Sequence, residues 1–159
     1  MSTLPQLLEE DIAALDVSLR DLLRKTEADT ALIIDRGGFL ITQQGEFADI
    51  DTTTLAALSA ASFAATQSIA GLIGEEDFSS VYQQGEKNSI IVINVDEYSL
   101  LVIVFPASIS VGAVKYYAPV SIKKVALQMK LAHERDPESG FDLSVLNIAD
   151  TSVLFQKKG

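Results

Sequence analysis

Apolar positions change their spacing several times along the chain, and each change marks an element. Leu8, Ile12, Leu15, Leu19, Leu22 and Leu23 recur at steps of three and four, with Glu9, Glu10, Asp16, Arg20, Asp21 and Arg24 between them. That spacing predicts a helix of about five turns, with Pro5 near its opening and Asp29 past its end. The period then gives way to short apolar runs. Residues 31–35 and 39–42 read as two strands joined by Arg36-Gly37-Gly38, a tight turn in which glycine accepts positive φ. Residues 43–50 are polar and are expected to form a loop. Three further runs, 78–84, 89–95 and 99–105, break at Gly85-Glu86-Lys87-Asn88 and near Asp96-Glu97. They read as strands linked by hairpins. The last two are rich in Ile, Val and Leu and should be central, whereas the first alternates with polar residues as an edge strand does.

A third helix is expected over 109–133. Val114, Ala118, Ile122, Val125, Met129 and Ala132 form one stripe on it, Val120, Leu127 and Leu131 a second, and Lys115, Lys123, Lys124 and Lys130 a basic side. Pro119 falls inside and should kink the helix or delay its regular start. The order is helix, two strands, helix, three strands, helix. Consecutive hairpins make a five-stranded antiparallel sheet with flanking helices, an α/β protein of the α+β type.

The second helix, expected over 53–74, is the unusual one. It carries no charge, although 21% of the chain is charged. Asp51 and Thr52 stand where they can cap its first N–H groups, and Gly74 where helices often end in a left-handed residue. A helix apolar on nearly every side must be covered on nearly every side, and one sheet face covers only a stripe. Ala57, Ala60, Ala61, Ala64 and Ala65 would let a second helix approach closely. A membrane span is the rival reading, since about 20 apolar residues suffice. Ser59, Ser62, Thr66, Gln67 and Ser68 count against it, as each would need a partner in lipid. The flanks are acidic rather than basic, with Asp49 and Asp51 before and Glu75, Glu76 and Asp77 after. No membrane insertion is expected.

The length of 159 residues suits one domain with a sizeable core. A formal net charge of −10 argues against nucleic acid, whose phosphates call for basic residues. Cysteine is absent, so neither disulfides nor thiol chemistry enters. The opening MSTLPQLLEED is polar and acidic, unlike a signal peptide, and a cytoplasmic protein is expected.

The residues offer little chemistry. No Gly-rich loop ending in Lys-Ser or Lys-Thr is present, so no nucleotide site of that class is expected, and Gly71 and Gly74 read as packing and capping. His133 is the single histidine and reads as a solvated face residue. With no cysteine and one histidine, zinc is not expected. Glu75-Glu76-Asp77 lacks the spacing of a calcium loop. Arg36, at a hairpin tip, reads as a turn residue before an arginine finger. Catalytic residues, metal ligands and cofactors are all expected to be none.

The order of elements, with ALIIDRGGFLITQQGE, IDTTTLAALSAASFAATQSIAGLIGEEDF, YQQGEKNSIIVINVDEYSLLVIVF and SVGAVK, resembles the Roadblock/dynein light chain family, and within it the bacterial polarity regulators. The resemblance spans about 7–131, and IDTTTLAAL, LIGE and QGEKNS are its most specific parts. The proline in Tyr116-Tyr117-Ala118-Pro119 departs from it. The resemblance implies a profilin-like Roadblock fold over 1–135, followed by a linker and a C-terminal partner-binding tail over 136–159. It also implies a homodimer in which the uncharged helix and the 78–84 strand each meet their copy, with Ala57, Ala60, Ala61, Phe63, Ala64 and Val81 at the shared surface. It implies, further, a non-enzymatic partner of a small Ras-like GTPase of the MglA type, one that stimulates GTP hydrolysis by settling the GTPase's own catalytic residues in cell polarity or motility. A scaffold or light chain of the same fold, without effect on hydrolysis, is the alternative. Thr66 and Ile69 are expected to face the partner. Phe141, Val145, Ile148, Leu154 and Phe155, beyond the linker Asp136-Pro137-Glu138-Ser139-Gly140, read as an amphipathic anchor that lies on this partner or packs back on the protein itself, and the resemblance favours the partner.

Overall fold

The computed structural model describes residues 4–135, and residues 136–159 with their expected tail lie outside that span. The elements run α1 (Glu9–Thr26), β1 (Thr30–Asp35), β2 (Leu40–Gly45), α2 (Thr52–Leu72), β3 (Ser80–Gln84), β4 (Asn88–Asn94), β5 (Ser99–Pro106) and α3 (Val111–Glu134). The strands form one sheet in the order β2-β1-β5-β4-β3, antiparallel throughout. As expected, β4 and β5 are interior and β3 is an edge. β5 is buried almost from end to end because helices cover both its faces.

The pleat sends alternate residues to two cores. Ala31, Ile33, Ile91, Leu101, Ile103 and Phe105 pack under α1 and α3, against Leu15, Leu19, Leu22, Val125 and Met129. Leu32, Ile34, Val92, Leu100 and Val102 pack under α2, against Ala56, Ala60 and Phe63.

The structure corrects three expectations. The polar stretch Gln43-Gln44-Gly45 is strand rather than loop, because β1 pairs along it from Thr30↔Gly45 to Ile33↔Thr42. Gly45 ends it at φ 110, and a Cβ there would lie 2.2 Å from the Asp29 carbonyl oxygen, so the turn needs glycine. β3 starts at Ser80, not at Phe78, because the Gln67 side chain takes the Phe78 backbone. Gln67 Nε2 donates to the Phe78 carbonyl at 2.9 Å, and the Phe78 N–H donates to Gln67 Oε1 at 2.8 Å. Pro119 does not delay α3, which begins at Val111 with Ser110 accepting from the Ala113 N–H at 3.1 Å. Pro119 lies on the exposed side of a continuous helix.

Candidate interaction surface

α2 is long and apolar enough to cross a membrane by length and composition, and only its inner side packs on the sheet. Asp51 caps it, with Oδ1 accepting from the Thr54 N–H at 3.1 Å and Oδ2 from the Thr54 hydroxyl at 2.7 Å. These bonds hold the Asp51 carboxyl below its ordinary range. Gly74 closes the far end at φ 83. Ala56, Ser59, Ala60, Phe63 and Ala70 turn inward onto the sheet.

The other side of α2 is left open. Leu58 is 63% exposed and Leu72 86%, with Ile69 and Ile73 exposed beside them. Ala57, Ala61, Ala64 and Ala65 are also exposed. Leu58, Ala61, Ala65 and Leu72 recur at helical steps along one uncharged outer stripe. Two of the residues expected at a shared surface are placed differently. Ala60 is 4% and Phe63 1% exposed, so within the single chain both are spent on the sheet beneath. Their spacing alone could not tell which side of an all-apolar helix meets its own sheet. Val81 is half-buried against the same core from β3. Thr66 is half-buried, its hydroxyl bonded to the Phe63 carbonyl at 2.7 Å. β3 stands beside this surface, and its outer edge has no strand partner among the described residues.

The residues weighed for chemistry are tied into the frame. Arg36 joins two turns: its Nε donates to the Asp96 carbonyl at 3.2 Å and its Nη2 donates to Asn94 Oδ1. Its guanidinium stands 5.6 Å from the centre of the Phe63 ring, within cation–π range. His133 is exposed and lies against Tyr98, the rings 5.1 Å apart and the Tyr98 hydroxyl 3.1 Å from Nε2. The described residues hold no cluster of three His, Asp or Glu side chains placed to bind a metal. A cavity of about 510 Å³ opens near the start of α2, floored by Leu55, Ile90 and Val104 and rimmed by Asp29, Glu46 and Asp49.

One polar centre escaped the sequence reading. Asp11 is fully buried at the start of α1. It accepts from the Leu8 N–H at 2.7 Å, from Gln128 Nε2 at 2.7 Å, and from Arg135 at 2.8 and 3.0 Å. Burial pushes its carboxyl up, but the Arg135, Leu8 and Gln128 donors outweigh burial and hold it below the ordinary range. The available signal was its place on the inward line Asp11, Leu15, Ser18, Leu22, where a carboxylate needs a partner.

This is a protein that offers surfaces: an uncovered apolar helix face beside a strand edge with no strand partner among the described residues. The chain belongs to the Roadblock/LC7 domain family, whose pattern matches residues 15–105. Its three helices and five-stranded sheet are the profilin-like Roadblock fold seen in several solved structures. One, described as MglB with tetrameric arrangement, is 31% identical with a TM-score of 0.77, covering 83% of this chain and 99% of that one. The gliding protein MglB from Thermus thermophilus is 31% identical with a TM-score of 0.74, covering 82% and 98%. Myxococcus xanthus MglB is 27% identical with a TM-score of 0.76, covering 82% and 98%. No curated protein gives a significant match.

Proposed function

We propose that this protein is a homodimeric, MglB-like regulator that binds a small Ras-like GTPase of the MglA type in the cytoplasm and stimulates its GTP hydrolysis. The observation that carries the reading is the outer face of α2. An uncharged stripe of Leu58, Ala61, Ala65 and Leu72 lies open beside an unpaired strand edge. A second copy related by a two-fold axis would cover both, pairing helix with helix and edge with edge. Such an interface should bury more than about 1,000 Å². In this arrangement Ala57, Ala61 and Ala64 meet the partner copy. Ala60 and Phe63 brace the helix from beneath, and Thr66 and Ile69 border the GTPase surface. Phe141, Val145, Ile148, Leu154 and Phe155 supply a second contact with the GTPase.

The state of Arg36 supports a regulator that lends no arginine finger, because its guanidinium is already bonded to Asp96 and Asn94. A donated finger is worth about 10³ to 10⁵ in rate, and a regulator that only orders groups already present gives less. GTP hydrolysis by the candidate GTPase, with and without this protein, is the test. Faster hydrolysis is expected with the pair, and none with this chain alone. Arg36→Ala should leave the stimulation in place. Binding without any change in hydrolysis would favour the scaffold reading instead.

A further inference from the structure

The outer side of α3, turned away from the sheet, carries an apolar line. Tyr116 is 76% exposed and Leu127 57%, with Val120 and Leu131 exposed on the same line at steps of four and seven. Val114, Val125 and Met129, on the opposite side of the helix, are spent on the core. At about 100° per residue, Lys123 and Lys130 flank the line on one side and Lys124 on the other. The helix holds one further lysine, Lys115, and a single acidic residue, Glu134 in its last turn. None of the four lysines forms an ion pair among the described residues. Asp21 of α1, whose charge reaches Lys124, already pairs with Arg24 and Lys25.

We propose that this face of α3 rests on an anionic lipid surface, with the apolar line at headgroup depth, the lysines on the phosphates, and no segment crossing the bilayer. Lysine stems can lie along the apolar line while their ammonium groups reach outward, so the two kinds of residue serve one surface. The face is broad rather than a slot, because α1 lies beside α3. The Ser121 hydroxyl on the Ser18 carbonyl puts Val17 of α1, 58% exposed, level with the middle of the line. A second copy of the chain fits poorly, since a two-fold axis here would set the same lysines against each other. The formal net charge of −10 does not forbid the contact. Asp49, Asp51, Glu75, Glu76 and Asp77 flank α2 on the other face of the sheet, a sheet and a helix away. Two such layers are about 20 Å, well beyond the screening length of about 8 Å at physiological salt.

The free, full-length protein serves for the test, with no GTPase present, so its outcome is independent of the proposed GTPase role. Vesicles of phosphatidylcholine and phosphatidylglycerol in equal parts should carry the protein down on sedimentation. Vesicles of phosphatidylcholine alone should not, and binding should weaken as salt is raised. Each lysine is worth on the order of fivefold in partition, so the triple variant Lys123→Gln, Lys124→Gln, Lys130→Gln should bind at least about tenfold more weakly. Its far-ultraviolet circular dichroism should stay native. The chain has no tryptophan, so Leu127→Trp reports from the face itself. Its emission should shift to the blue on the mixed vesicles and stay unchanged on phosphatidylcholine alone. No binding to the mixed vesicles, equal binding to both compositions, undiminished binding by a folded triple variant, or binding without the emission shift would each overturn the proposal. So would capture by a polyglutamate peptide in preference to the mixed vesicles, which would assign the lysines to an acidic protein segment.

Discussion

The two faces of the sheet are finished to different degrees. Five strands at about 4.8 Å spacing make a surface about 19 Å wide, and a packed helix covers about 10 Å of it. On one face α1 and α3 lie side by side, joined by the Ser121 hydroxyl on the Ser18 carbonyl at 3.4 Å and by Asp11 with Arg135. That face is closed, with Leu15, Leu19, Leu22, Val125 and Met129 fully buried. On the other face α2 lies alone, with no charge to solvate its flanks. One helix cannot cover the width, so among the described residues the second face is left incomplete. The closed face carries stability, and the open face is the one on which the proposed recognition rests.

If that division holds, four changes should separate the two. The largest effect on folding is expected from Phe63→Ala. Its side chain is the largest one buried under α2, and removing it should cost about 3–5 kcal/mol in denaturant unfolding. A loss under about 1 kcal/mol would mean that Phe63 serves the outer surface after all. Next comes Asp11→Asn, which leaves the Arg135 guanidinium without its buried partner. Arg135 keeps 26% of its side-chain exposure, so part of the loss is recovered by water, and about 2–3 kcal/mol is expected. The same pair sets an acid limit. A carboxyl held below its unfolded value contributes stability that is present above that value and lost as pH falls through the folded one. The window therefore opens below the reference value of 3.8. Melting temperatures should fall more steeply there in the parent than in Asp11→Asn, and parallel acid profiles would refute this role.

Gln67→Ala removes the clamp on Phe78 and should cost about 1–2 kcal/mol, with faster amide exchange around Phe78 and Ser80. The smallest effect on the chain's own fold is expected from Ala61→Glu, on the outer stripe of α2. Circular dichroism should stay native while light scattering reports half the mass. A dimer that persists would move the contact away from this stripe, and a misfolded chain would show that Ala61 belongs to the core.

Much of this architecture could be read from periodicity. Leu15, Leu19 and Leu22 announce α1, the Ile and Val runs announce β4 and β5, and the missing charge of α2 announces a face to be covered. These are local signals, carried by residues a few positions apart. The strand at Gln43-Gln44-Gly45 was not legible, because nothing in those polar residues favours a strand, and β1 recruits them across the sheet. The candidate surface was legible as a helix but not as a side. A helix apolar all round has no moment to say whether Phe63 or Leu58 turns inward, and only packing on Leu32, Ile34 and Val102 settles it.

The order of elements, the antiparallel class and the need for cover on α2 were therefore properties of the sequence by itself, since side-chain spacing and turn residues act over a few positions. Tertiary structure alone decided which way α2 faces, where β2 ends, and that Arg135 neutralises Asp11 across 124 positions of chain. Each of those depends on groups that become neighbours only when the sheet closes. No local pattern carries that information, because the energy of a buried pair or a packed face exists only once both halves are in place.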